Sequence, residues 1–254
     1  MIELRNIELS FGERTLIKDA TAHFKRGEMV ALLGRNGTGK STLLRAISAL
    51  GAVQGGEIRL GGRDIAQMTS VELARSVAFV NTERIDVEAL TCYDLVSIGR
   101  SPYTDWAGRL RSDDIAAVER AMRIAGVEHM SERRVETLSD GEAQRVMIAR
   151  ALAQDTPVIL LDEPTAFLDL PNRYELCTLL SRLAHDENKS IIFSTHELDI
   201  ALSLADSIAL VDTPNLRHLP TEQMILSGAI ERLFNSEYVG FDATTRSIKM
   251  QRGQ

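Results

Sequence analysis

Cysteine is scarce. Only Cys92 and Cys177 occur in 254 residues, without CxxC spacing, which excludes a disulfide framework and a metal knuckle and leaves both as small buried hydrophobes. Basic residues are outnumbered, 29 Lys and Arg against 36 Asp and Glu, for a net charge of −7; no nucleic-acid partner is expected. No apolar run approaches the roughly 18 residues that cross a bilayer. The opening Met1-Ile2-Glu3-Leu4-Arg5-Asn6 lacks the basic and apolar regions of a signal peptide, so cytoplasmic residence is expected. Low-complexity tracts and internal repeats are also missing. What is there is an ordinary globular composition, 44% hydrophobic and 26% charged, long enough for one large α/β domain or two smaller lobes.

One stretch organises the rest: Gly34-Arg35-Asn36-Gly37-Thr38-Gly39-Lys40-Ser41, followed by a helix-forming run from Thr42 to Leu50. The apolar Met29-Val30-Ala31-Leu32-Leu33 before it is of buried-strand length, so the glycines lie where a strand passes into a helix, the context of a P-loop. Backbone N–H groups of such a turn, with the positive end of the helix, form a cradle for a triphosphate. Lys40 would reach the β- and γ-phosphates and the Ser41 hydroxyl would bind Mg²⁺. An ordinary glycine-rich turn is the competing reading.

Ahead of the loop, alternating residues predict a small antiparallel layer with a turn at Gly12-Glu13-Arg14 and Phe11 at its tip, either a local core plug or a stacking surface for a base. After it come a glycine-turned hairpin over residues 55–63, a capping box at Thr69–Glu72, and a buried strand at Val77–Val80. Residues 82–137 turn helical, with starts at Thr91 and Ser112, a turn at Gly99–Tyr103, and a second helix carrying Ile115, Val118, Met122 and Ala125 to a stop at Gly126. Tyr103 and Trp106 either pack inside this lobe or line a groove for a partner. Ser139 and Gly141 stand at another helix start, a plain cap or a second anion site. Val158-Ile159-Leu160-Leu161 ends in Asp162-Glu163, a buried strand with two acids at its ligand-binding edge. Asp162 would hold Mg²⁺ and Glu163 would deprotonate the attacking water. A helix over 172–183 follows, and the strand Ser190–Ser194 then delivers His196 toward a γ-phosphate. A strand at 207–211 and a helix at 228–234 come last, and residues 236–254 show no readable chemistry.

In order, Phe11, residues 34–41, Leu138-Ser139-Asp140-Gly141-Glu142, Leu160–Pro164, Asp169 and His196 resemble the motif set of the ATP-binding cassette ATPases, over roughly residues 2–235. The resemblance implies an α/β, P-loop NTPase (RecA-like) core with an antiparallel β subdomain and an inserted α-helical subdomain. As one domain over 1–254, residues 1–81 and 138–235 would form the nucleotide-binding core, 82–137 the helical subdomain and 236–254 a tail. It further implies that Phe11 stacks on adenine, that Gly34, Asn36, Gly37, Thr38, Gly39, Lys40, Ser41 and Thr42 bind the phosphates, and that Ser41 and Asp162 serve Mg²⁺. Glu163, His196 and Lys40 would be catalytic. Ser139 and Gly141 would touch the ATP of a second copy in a head-to-tail homodimer, with Asp169 at the seam. Two residues depart from the pattern: Thr82, with Glu83 beside it, stands where glutamine is usual, and Asp140 where glycine is usual. Leu90–Tyr103 and Ala166-Phe167-Leu168-Asp169 are similar to importers of ferric siderophores, haem and cobalamin. That likeness implies membrane permease subunits, attachment through them to the inner face of the cell membrane, and an extracytoplasmic substrate-binding protein. A soluble cassette ATPase and a weakly hydrolysing regulatory module are the alternatives.

Overall fold

The computed structural model describes residues 1–81, 89–166 and 168–250. Alternating burial builds the first layer, in which β1 (Ile2–Phe11) and β2 (Arg14–Phe24) pair antiparallel across the Gly12 turn. β3 (Met29–Leu33) belongs elsewhere, since all five of its residues are buried, as in a strand covered on both faces. α1 (Lys40–Ile47) stops short of the expected Leu50, because Ala49 adopts a φ of +57°. β4 (Gly55–Leu60) returns to β1, and β5 (Arg63–Asp64) folds onto it through the glycine turn. The Thr69–Glu72 capping box opens α2 (Ser70–Ser76), which runs into β6 (Val77–Val80).

Three helices form the lobe that follows: α3 (Cys92–Ser97), α4 (Ser112–Ala125) and α5 (Asp140–Ala153), each packed on the other two. Val118, Ala121, Met122 and Ala125 of α4 face its core, whereas Ile115, expected on the same stripe, turns outward. The segment Ile98–Tyr103 is a 3₁₀ helix rather than a simple turn, and it carries Arg100 inward. The Arg100 guanidinium donates to Asp114 Oδ1 at 2.9 Å and to the Ala153 carbonyl at 2.9 Å. The Tyr103 ring lies 3.9 Å from it, so Tyr103 packs within the lobe, while Trp106 is 98% exposed. Asp114→Ala would strand that buried cation. We expect it to lower stability by about 3 kcal/mol or more in thermal unfolding, and a loss below about 1 kcal/mol would refute the assignment.

The chain then lays down β7 (Val158–Leu161), α6 (Leu170–His185), β8 (Ser190–Thr195), α7 (Leu198–Leu204), β9 (Ser207–Asp212) and β10 (Asn215–Pro220). The central sheet runs β10-β9-β3-β8-β7-β6, parallel except for the β10 edge. Its alternate side chains enter two cores: Val30, Leu32, Leu160 and Ile192 meet the β1-β2-β4 layer and α1, and Ala31, Leu33, Leu161 and Phe193 meet the helices. At roughly 1.5–3 kcal/mol per fully buried Leu, Ile or Phe, neither face can be left wet. α8 (Thr221–Leu226) and α9 (Ala229–Phe234) lead to a hairpin of β11 (Val239–Asp242) and β12 (Ser247–Met250), which buries Phe241, so the last stretch is not a featureless tail. Cys92 and Cys177 are buried and free, and burial pushes the Cys177 thiol up to about 12.

Candidate functional site

The parallel strands end together, and the loops after β3, β7 and β8 meet at that edge. Between β3 and α1 the backbone packs too closely for side chains: a Cβ on Gly34 would lie 2.7 Å from the Val211 carbonyl oxygen. Gly39, the N-cap of α1, has a φ of +102°, and its Cβ would press on Leu16 at 3.0 Å. Lys40 begins the helix and folds back, its ammonium donating to the carbonyls of Gly34 at 2.9 Å and Arg35 at 3.3 Å. It is 5% exposed. Burial pushes its pKa down, and the nearby Glu163 and Asp162 carboxylates pull it back up. No acidic residue occupies the first turn of α1, so no side chain of that turn neutralises the helix dipole at the cleft.

β7 delivers the two acids. The Glu163 carboxylate lies 3.9 Å from Lys40 Nζ and 3.4 Å from His196 Nδ1, at a backbone φ of +45°. Asp162 accepts a hydrogen bond from the Ser194 hydroxyl at 2.6 Å. A cleft of about 520 Å³ connects these groups. The expected Phe11, Asn36, Gly37, Gly39, Lys40, Ser41 and Thr42 line it together with Asp162 and Glu163. Phe11 is 77% exposed, which removes the core-plug reading. Sequence reasoning missed Arg14, which faces Phe11 across the hairpin, and Leu16, which backs Gly39; both line the same wall. It also missed Ser194, whose only signal was a polar residue in an apolar strand.

The remaining residues lie off the cleft. Gly34 packs behind it, and Thr38 turns to the Arg35 carbonyl at 2.9 Å. His196 reaches the site only through Glu163. Ser139 and Gly141 stand at the start of α5 and do not line their own chain's cleft. Ser139 forms a capping box with Glu142, whose carboxyl the Arg133 guanidinium holds down at about 2. Asp140 is the first residue of α5, and Asp169 caps α6, accepting from the Asn172 N–H at 3.1 Å. Thr82, Glu83 and Phe167 lie outside the described residues.

The donor set suits a triphosphate with Mg²⁺. Among the described residues no three His, Cys, Asp or Glu cluster as a dedicated metal cage. Ser41 and Asp162 instead share one cleft, the sparse oxygen set of an ion that keeps waters and takes its other ligands from phosphate.

A family model described as ABC transporter matches residues 17–166. The ferric enterobactin transport ATP-binding protein of Escherichia coli is 34% identical over 229 residues, which cover 90% of this chain and 84% of that protein. A metal-chelate type ABC transporter solved in an inward-facing conformation superposes with a TM-score of 0.82 at 27% identity, covering 92% of this chain and 88% of that one. A dimeric ATP-binding cassette in a post-hydrolysis state, bound to ADP and Pi, superposes with a TM-score of 0.75 at 26% identity, covering 87% and 99%.

Proposed function

Because the chain belongs to the ABC transporter family of ATPases, we propose that it is the ATP-hydrolysing subunit of a membrane importer for an iron chelate, a ferric siderophore or haem, or for cobalamin. The observation that carries the chemistry is one cleft lined by Lys40, Glu163 and the exposed Phe11 ring, with His196 set against Glu163. Adenine stacks on Phe11, and the phosphates lie over the α1 N-terminus with Lys40 on the β- and γ-groups. Glu163 takes a proton from water as its oxygen bonds to the γ-phosphorus and the bond to the β-bridging oxygen breaks, releasing ADP and phosphate. His196 holds the γ-phosphate against Glu163. Ser41 and Asp162 would hold Mg²⁺, which would supply charge neutralisation for the phosphates.

Ser139 and Gly141 are off their own cleft, so a second copy supplies them, and ATP favours the closed homodimer because the γ-phosphate makes contacts only there. Among the described residues no helix is long and apolar enough to cross a membrane. In this reading separate permease subunits carry the chelate across, and a substrate-binding protein outside the membrane delivers it. The chain then sits on the cytoplasmic face, held by the permease. In vesicles carrying chain, permease and binding protein, ferric chelate should stimulate ATP hydrolysis several-fold. Turnover indifferent to ferric chelates, haem and cobalamin would overturn the substrate assignment.

A further inference from the structure

We propose that Ser194 is the positioning residue of the hydrolytic site, one buried hydroxyl that orients both acids at the end of β7. The proposal rests on the reading of Asp162 and Glu163 as the acids of ATP hydrolysis. Ser194 is completely buried in β8, the strand between β3 and β7. A serine hydroxyl has one proton and two lone pairs. Here the proton goes to Asp162 Oδ1 at 2.6 Å, and the oxygen accepts the Glu163 backbone N–H at 2.8 Å. Two consecutive residues are therefore fixed by one atom, and rotating that hydroxyl away would break both bonds.

Each bond has a consequence in the cleft. Asp162 is held at its backbone by the Val80 carbonyl, 2.8 Å from its N–H, and at its carboxylate by Ser194, which leaves Oδ2 as the oxygen without that bond. Glu163 sits at a φ of +45°, a conformation that a glutamate keeps only when its surroundings impose it. Its N–H is tied to Ser194 and its carbonyl accepts from the Ala166 N–H at 3.0 Å. That pinned backbone sets the direction in which the carboxylate leaves the strand, toward Lys40 and His196. A residue that only filled space in β8 would need neither bond.

The test uses the full-length chain with its permease and reads turnover, nucleotide affinity and folding together. Ser194→Ala should lower kcat by about 10- to 100-fold, the scale of a sub-ångström to ångström misplacement, with the Kd for ADP changed less than about threefold. Ser194→Cys, close in size but a weak donor, should fall in the same way while remaining folded, and Ser194→Thr, which keeps the hydroxyl, should recover most of the rate. Turnover of Ser194→Ala or Ser194→Cys within about twofold of wild type would overturn the proposal, as would a loss of ADP affinity equal to the loss in kcat. Glu163→Gln separates the two readings. If it turns over like wild type, the assignment of Glu163 fails; if it falls while Ser194→Ala and Ser194→Cys do not, the positioning role alone fails.

Discussion

Glu163→Gln should lower ATP turnover by about 10²- to 10⁴-fold, the range of a lost general base, while ATP binds at least as tightly as before. The amide has nearly the shape of the carboxylate but cannot take up a proton near neutral pH. Its backbone bonds to Ser194 and Ala166 do not involve the side chain, so the +45° φ survives the change. The effect on affinity has a definite sign. The wild-type carboxylate lies 3.9 Å from Lys40 Nζ, where it would face a bound γ-phosphate as a like charge. Removing it relieves that repulsion and also frees Lys40 to pair with phosphate, so the ATP-bound state should accumulate. Single-turnover hydrolysis with a parallel measurement of bound ATP checks both halves. Equal turnover in the two proteins would sink the enzymatic role of Glu163 and favour a chain that binds ATP without hydrolysing it.

Much of this site is legible in the sequence because its parts are contiguous. A loop of glycines between an apolar run and a helix, or two acids closing a run of four apolar residues, needs no tertiary information to be recognised. The capping boxes at Thr69 and Thr91 are legible for the same reason, since donor and acceptor are three residues apart. What escapes the sequence is whatever depends on strand order. Ser194 matters only because β8 lies next to β7, and Arg14 lines the cleft only because the β1-β2 hairpin leans over it. The segment Leu198-Asp199-Ile200-Ala201-Leu202-Ser203-Leu204 has an almost strand-like alternation, yet it forms α7 with Leu198, Ile200, Ala201 and Leu202 buried; burial overrides the local pattern. β10 carries an Asn, an Arg, a His and a closing Pro, a composition that an edge strand tolerates and that hides it from a hydropathy reading.

An equal mixture of Gly141→Asp and Glu163→Gln chains should hydrolyse ATP at about one quarter of the wild-type rate, although each variant alone retains roughly 1% or less. In the proposed two-fold dimer each cleft would take Lys40 and Glu163 from one copy and Ser139 and Gly141 from the other. Random pairing makes half of the dimers mixed. In a mixed dimer one cleft receives both lesions and the other receives neither, so about a quarter of all clefts are intact. Gly141 suits the purpose because folding and function respond to its replacement in opposite directions. A Cβ there would meet only the tip of the Leu168 side chain, at 3.3 Å, and a further acid in the first turn of α5 favours the helix. The same carboxylate would repel the γ-phosphate of the opposing chain. Since Gly141 does not line its own cleft, Gly141→Asp should still bind ADP with wild-type affinity, which shows that the variant is folded. A mixture no more active than its two components would mean that each cleft is complete within one chain, and the head-to-tail dimer would have to be abandoned.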